Sequence, residues 1–321
     1  MLSSKSTIHG IIIGLSISIF TGCDRQDVST KVDQRLSDTE LAQVPKSEEK
    51  NILRFGFDIR SSLEEDAKQY LPFLTYLEQA TGFKFKLRFI PKDGKIVDEL
   101  GKGLVHFAAI GATSYIKAAD KYAVKPLVRG VNTQGKAVYR SYLVVRPDSP
   151  INDLSDLYGQ RFAFGSRTST QGHLIPRIIL HQHKMQLQDF ASYGYTGSHQ
   201  LCAEAVMAKK YDVCGMQDTM AEDLARRQLV RILYRSDYFP SSGIAVNGDV
   251  PKDVAAKVKQ ALLVFEPNGR HGAGLYRWHK TEMPNGFIEA RDSDYQRLRE
   301  WMNRLKLSDN LQFSTQPGMV M

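Results

Sequence analysis

A two-lobed α/β fold, each lobe a mostly parallel sheet flanked by helices, is predicted by three observations on the 321-residue chain. From Ile52 onward, short apolar runs alternate with helix-patterned stretches, the order in which parallel strands and crossover helices succeed one another. The length corresponds to about two domains. A double-proline segment, Arg146-Pro147-Asp148-Ser149-Pro150, breaks regular structure between two such blocks.

In the first block Ile52–Phe57 (ILRFGF) reads as a strand, followed by a helix over Glu65–Thr81 whose apolar positions Leu71, Leu74, Leu77 and Ala80 precede a Gly82 stop. Strands are expected at Lys84–Ile90 and His106–Ile110, helices at Lys95–Gly101 and Thr113–Asp120, and a long β-rich run at Tyr139–Val145. The second block offers strands at Arg161–Phe164, Ser192–Tyr195, Tyr211–Gly215 and Val230–Tyr234, with helices at Ser169–His181, His199–Ala208 and Thr219–Arg227. After Tyr238-Phe239-Pro240 come a strand at Gly243–Val246, a helix at Lys252–Phe265 and an amphipathic helix at Asp294–Leu305. Tyr295, Leu298, Met302 and Leu305 of that last helix share one stripe, the spacing of a buried face. The expected division is lobe I over 52–146 plus 239–321 and lobe II over 147–238. Crossings near Arg146–Ser149 and Arg235–Pro240 join the lobes around a cleft.

The N-terminus decides the compartment. Residues 1–22 hold one cation, Lys5, a ten-residue apolar run from Ile11 to Phe20, and small residues before Cys23. A membrane-spanning helix needs about 20 apolar residues, so the layout is that of an export signal. Phe20-Thr21-Gly22-Cys23 resembles a bacterial lipobox, which implies lipidation of Cys23 and attachment to the membrane by a lipid anchor. Residues 23–51 are charged, aromatic-free and interrupted by Pro45, and read as a flexible tether. The net charge of +8 (43 Lys+Arg against 35 Asp+Glu) would in a cytoplasmic protein suggest a polyanion. Export excludes nucleic acid as the partner and places the chain on the periplasmic side of the cell membrane.

Four strand ends share one local design, in which an apolar run stops, Ser, Thr or Gly follows, and a helix begins. They are Ile110–Tyr115, Phe164–Thr170, Thr196–His199 and Gly215–Thr219. Such hydroxyls cap helix starts, and helix starts gathered at the carboxyl ends of parallel strands present unpaired N–H groups to an anion.

The segment Phe164–Ile179 (FGSRTSTQGHLIPRII) resembles the anion-binding segment of the phosphate, phosphite and phosphonate substrate-binding proteins of ABC importers. Ser169, Thr170, Gly172 and Leu174-Ile175-Pro176 match, whereas Ser166, Arg167, Thr168 and Gln171 replace the typical residues. Similar stretches at Tyr70–Gly82, Ala108–Ala118, Gly197–Val206 and Gly286–Trp301 extend the resemblance over about residues 52–305. It implies the type II periplasmic-binding fold and capture of a phosphorus oxyanion without catalysis or cofactor. It further implies a monomer that delivers the ligand to an ABC permease and its ATPase. A sensory module that reports ligand to a membrane kinase or chemoreceptor is the alternative on the same fold.

Carried over position by position, Ser169 and Thr170 would bind phosphoryl oxygens from lobe II, with Gly172 matching the motif. Thr113, Ser114 and Tyr115 would do so from lobe I, and His199 would supply a ring N–H. At the positions where aminophosphonate binders hold the ligand's amine stand Thr219 and Ser242, with Asp218 adjacent. An aromatic that relatives place after the second strand is replaced by Asp93-Gly94. A cationic tail then lacks its obvious partner, and the expected ligand is phosphate, phosphite or a small alkylphosphonate. Arg167 is equally placed to reach the anion or to face solvent.

Other readings are weaker. Ser169 and His173 stand without a Gly-x-Ser-x-Gly elbow, so no hydrolase is expected. His181 and His183, two apart on a helix, point in different directions and suggest no metal site. Gly269–Gly274 (GRHGAG) follows no strand and reads as a loop. Cys202 and Cys214 fall at one edge of a βαβ unit, as a disulfide or as two small buried residues. If Cys23 carries the anchor, Cys23→Ser moves the protein from the membrane to the soluble fraction on cell fractionation; continued membrane attachment contradicts it.

Overall fold

The computed structural model describes residues 52–91 and 94–307. The export signal, the tether, Cys23 and Asp93 lie outside the described residues. Two sheets dominate. The first runs in the order β13-β4-β12-β3-β1-β2, built from β1 (Ile52–Phe57), β2 (Lys84–Leu87), β3 (Phe107–Ile110), β4 (Lys125–Gly130), β12 (Gly243–Val246) and β13 (Phe287–Glu289). The second runs β10-β6-β9-β7-β8, from β6 (Ser141–Val145), β7 (Arg161–Phe164), β8 (Ser192–Tyr195), β9 (Val213–Gln217) and β10 (Arg231–Arg235).

The two sheets repeat one plan. β1 pairs in parallel with β2 and β3, as β7 does with β8 and β9. Next to the third parallel strand each sheet takes one antiparallel strand supplied by a crossing, β12 beside β3 and β6 beside β9. The crossings themselves, β5 (Val138–Tyr139) and β11 (Phe239–Pro240), pair as a two-stranded ribbon. The ladder therefore places Ser141–Val145 in the second sheet, so the first crossing lies before the double proline expected to mark it. A continuous β-rich run hides a change of sheet because both halves have the same composition.

The helices follow the sequence closely. They are α1 (Leu63–Thr81), α2 (Ile96–Gly101), α3 (Ala112–Lys121), α4 (Ile175–Gln182), α5 (His199–Met207), α6 (Asp218–Arg226), α7 (Lys252–Leu263) and α8 (Gln296–Arg304). α1 begins with Ser62 accepting the Glu65 N–H and ends at Gly82, whose φ of 73° is the left-handed conformation that glycine adopts without strain. Its buried face is Tyr70, Phe73, Leu74 and Leu77, while Leu71 and Ala80, expected inside, are exposed. The aromatics decide this rotation: Phe73 stacks on Trp278 at 4.8 Å between ring centroids and meets Phe265 edge-on at 5.2 Å. At the other end, Tyr295 packs on Tyr115 at 4.6 Å and Trp301 of α8 on His181 of α4 at 5.5 Å, so the last helix touches both lobes. Among the described residues no helix is long and apolar enough to cross a membrane.

Cys202 of α5 and Cys214 of β9, both fully buried, are joined by a disulfide that closes a loop of sequence separation 12. It ties the helix that starts at His199 to the strand that ends at Gln217. Loop closure of this length contributes about 3 kcal/mol. Replacing both residues, Cys202→Ala with Cys214→Ala, is expected to lower the unfolding free energy by about that amount in urea titrations; an unchanged midpoint would show that the link carries no stability.

Candidate ligand-binding site

The carboxyl ends of β1, β3, β7 and β8 face one another across the lobes and enclose a cavity of about 30 Å³. Lobe I contributes Asp58 and Arg60 after β1, Gly111 before α3, Ser242 before β12, and Glu282. Lobe II contributes Ser166, Ser169, Thr170 and Gln171 after β7, and His199 at the start of α5; Tyr139 of the crossing forms a wall.

After β7 the chain winds a π-helical turn over Thr170–Leu174, in which the Leu174 N–H donates to the Ser169 carbonyl at 3.1 Å. Wide turns of this kind collect at functional sites. Ser169 Oγ caps it, accepting the Gly172 N–H at 2.8 Å. Position 172 requires glycine because a β-carbon there would stand 2.9 Å from Ser169 Oγ and 3.1 Å from the Gly165 backbone. The turn is held from beneath by His173, whose Nδ1 meets the Arg167 carbonyl at 2.9 Å and whose Nε2 meets the Tyr195 hydroxyl at 3.2 Å.

The lobes are in contact around the cavity. Thr170 Oγ1 accepts the Thr113 N–H at 2.9 Å and bonds Thr113 Oγ1 at 3.0 Å. The His199 N–H donates to the Arg60 carbonyl at 3.3 Å, and the Ser61 hydroxyl to Gln200 Oε1 at 2.8 Å. His199 Nδ1 accepts the Gln217 N–H at 3.3 Å, which assigns the ring proton to Nε2, 3.5 Å from Ser169 Oγ. Burial, reinforced by Arg60, pushes the His199 pKa down to about 4, so the ring is neutral at physiological pH.

Three charges share the cavity. Arg60 Nη2 pairs with Glu282 Oε2 at 2.9 Å, the two side chains being 12% and 6% exposed. Its Nη1 donates to the Asp58 carbonyl at 3.1 Å, and its Nε is buried with no hydrogen-bond acceptor among the described residues. Burial raises the Glu282 pKa, but Arg60 foremost, with a bond from Ser242, more than offsets it and holds the carboxyl below its usual range. For Asp58 burial wins over Arg60 and over the bonds from Gly111 and Ser114, and its pKa is raised.

Of the residues expected from sequence, Ser169, Thr170, His199 and Ser242 line this cavity. Gly172 backs it. Thr113 and Ser114 are buried behind it, bonded to Thr170 and to Asp58 Oδ1 (3.2 Å) respectively. Tyr115 turns away: its hydroxyl donates to Asp292 at 2.7 Å. Asp218 lies in an adjoining cavity of about 50 Å³ that shares Tyr139 and Glu282 with the first. There it accepts from the Arg140 N–H at 2.9 Å and from Gln171 Nε2 at 3.1 Å, and burial pushes its pKa up to about 6. The Arg167 guanidinium covers the Tyr195 ring at 3.9 Å.

The residues that the sequence did not suggest are Asp58, Arg60, Tyr139 and Glu282. The first two follow the design of the other strand ends, since β1 stops at Phe57 and Ser62 caps α1, and the same rule applied there would have found them. Glu282 comes from an irregular segment with no local pattern. Two carboxylates, Asp58 and Glu282, thus line the cavity, at positions other than Thr219 and Ser242, where the sequence looked for the partner of a cationic tail.

Residues 55–295 match the family described as ABC transporter, phosphonate, periplasmic substrate-binding protein. The chain is 26% identical over 249 residues to the phosphonates-binding periplasmic protein of Escherichia coli, covering 74% of this chain and 73% of that one. It is 24% identical over 178 residues, 53% of each chain, to a probable ABC transporter phosphite-binding protein of Prochlorococcus marinus. The solved structure of a Prochlorococcus marinus protein in complex with methylphosphonate superposes with a TM-score of 0.71 at 17% identity, covering 80% of this chain and 98% of that chain. The fold is thus the two-lobed type II periplasmic-binding fold.

The His173 pKa is lowered by burial to about 4. The unfolded chain therefore takes up a proton first as the pH falls through about 6.5, and stability is lost from there down to about 4. Relative to His173→Gln, the wild type is expected to lose about 2 kcal/mol between pH 7 and pH 5 in urea titrations; a constant difference would show that His173 titrates normally in the fold.

Proposed function

As the chain belongs to the family of periplasmic substrate-binding proteins of phosphonate ABC transporters, we propose that it captures a phosphorus oxyanion between its lobes. The ligand class is phosphate, phosphite or a small alkylphosphonate, delivered to an ABC permease. The observation that carries this reading is the meeting, in one cavity, of the hydroxyl-bearing turn Ser169–Thr170 from lobe II, the start of α3 from lobe I, the His199 ring and Arg60. The hydroxyls, the ring Nε2–H and the guanidinium are donors where a tetrahedral oxyanion presents acceptors, and hydrogen bonds to a charged group contribute about 1.5–3 kcal/mol each.

A cavity of 30 Å³ holds about two waters, so entry of a phosphoryl group requires the lobes to part. The paired crossings β5 and β11 are the natural hinge. Thr170–Thr113 and His199–Arg60 are the bonds exchanged for ligand contacts, and closure is favoured to the extent that the ligand touches both lobes only when they are together. Lipidation at Cys23 would hold the lobes at the membrane, within reach of a permease. The protein then performs no chemistry on what it binds.

A second reading, an amine-bearing phosphonate, is favoured by Glu282 and Asp218, which face the adjoining cavity with Tyr142 and Tyr238. One panel separates the two. Thermal shift and calorimetry with phosphite, phosphate, methylphosphonate and 2-aminoethylphosphonate should give saturable stabilisation by at least one, about 2.7 kcal/mol at a hundredfold excess over Kd. The pair Ser169→Ala with Thr170→Ala should weaken that ligand by about a hundredfold or more. No response to any of the four would reject the ligand class, and unchanged affinity in the double variant would reject the site.

A further inference from the structure

An anion site that contains a carboxylate at the anion's own end carries a constraint on which anions fit. Asp58 is placed there. Its Oδ2 accepts the Gly111 N–H at 2.9 Å and its Oδ1 the Ser114 hydroxyl at 3.2 Å, both at the start of α3. The point that a β-carbon of residue 111 would occupy lies 3.2 Å from Thr170 Oγ1, 3.7 Å from Asp58 Oδ2 and 3.8 Å from Ser242 Oγ. Groups from both lobes thus converge on one spot, and one of them is a carboxylate oxygen.

The other charges do not relieve it. The Arg60 guanidinium is already matched by Glu282 at 2.9 Å. The remaining titratable groups at Asp58 are His199 and Tyr139 across the cavity and Tyr70 behind it. His199 is neutral by the bond from Gln217 and by burial, and burial raises the Tyr139 and Tyr70 phenols above their usual range, so they also carry no charge near neutral pH. An unprotonated oxygen placed against Asp58 therefore meets a like charge at a desolvated contact, which rejects the ligand. An oxygen that carries a hydrogen turns the same contact into a charge-assisted hydrogen bond.

We propose that Asp58 makes the site specific for oxyanions bearing a P–OH, accepting that proton in a hydrogen bond, and that it excludes sulfonates, which have the same shape and no proton. This rests on the reading of the cavity as a phosphorus-oxyanion site. Asp58 is a specificity-determining residue in this assignment, whereas Ser169, Thr170 and His199 donate to the unprotonated oxygens.

The test compares methylphosphonate with methanesulfonate, by calorimetry on the full chain. Wild type should prefer methylphosphonate by about a hundredfold or more. Asp58→Asn, whose amide donates to an unprotonated oxygen, should narrow the preference to within about tenfold. Titrations in two buffers of different ionisation heat, at a pH where free methylphosphonate is a dianion, should show uptake of about one proton per ligand. That uptake should persist in His199→Asn and vanish in Asp58→Asn. Equal wild-type affinity for the two ligands, an unchanged preference in Asp58→Asn, or uptake that follows His199 instead of Asp58 would overturn this inference while leaving the phosphorus-oxyanion reading in place. Binding of neither ligand, nor of phosphite or phosphate, would overturn that reading and this inference with it. Should Asp58→Asn not fold, the wild-type preference and proton uptake decide alone, and absence of either overturns the proposal.

Discussion

Arg60 is the residue on which the organisation of the cleft depends. A guanidinium taken out of water must be paired, and every part of this residue except its Nε has a partner. Its side chain meets Glu282 and the Asp58 carbonyl, its N–H donates to Asp66 Oδ2 at 2.7 Å, and its carbonyl accepts from His199 of the opposite lobe. The pair with Glu282 joins the end of β1 to a segment more than two hundred residues later in the chain and keeps both charges inside a half-closed space. The same pair leaves Asp58 as the uncompensated carboxylate of the cavity.

Lobe II answers with fewer charges and more geometry. The π-helical turn after β7 brings Ser169 and Thr170 to the cavity, Gly172 permits the close approach of Gly165 and His199, and His173 with Tyr195 supports the turn from behind. The disulfide fixes the start of α5 relative to β9, so His199 and Gln217 stay in register. The ribbon of β5 and β11 is the place where neither sheet extends, and it is the hinge in the function proposed above. A ligand that bridges the halves is then bound by preformed parts, with little ordering cost beyond closure.

Much of this was legible in the chain. Helix bounds agreed within a few residues because caps and apolar periods are local signals, as Ser62 and Gly82 show at the two ends of α1. β4 has no strand signal of its own: Lys125-Pro126-Leu127-Val128-Arg129-Gly130 carries a proline and two cations, yet it lies between β12 and β13 as the sheet requires. Leu71 lies on the exposed face because the aromatic side chains Tyr70 and Phe73, not the leucine spacing, set the rotation of α1. The site was half legible. Hydroxyl-rich turns announce themselves in sequence and contain Ser169, Thr170 and His199, whereas Ser242 follows only from the resemblance to the family.

By itself the sequence determined the alternation of strands and helices, the two-lobe plan, and the turns whose hydroxyls and N–H groups suit an oxyanion, since each of these rests on interactions between residues near in the chain. Only the tertiary structure decided which sheet receives Ser141–Val145, that Tyr115 bonds Asp292 instead of facing the cleft, that Cys202 and Cys214 are joined, and that Asp58, Arg60 and Glu282 share one cavity. The physical reason is that charges act through space. Arg60 and Glu282 carry no pattern in their own neighbourhoods, and their meaning arises when folding removes them from water at 2.9 Å from each other.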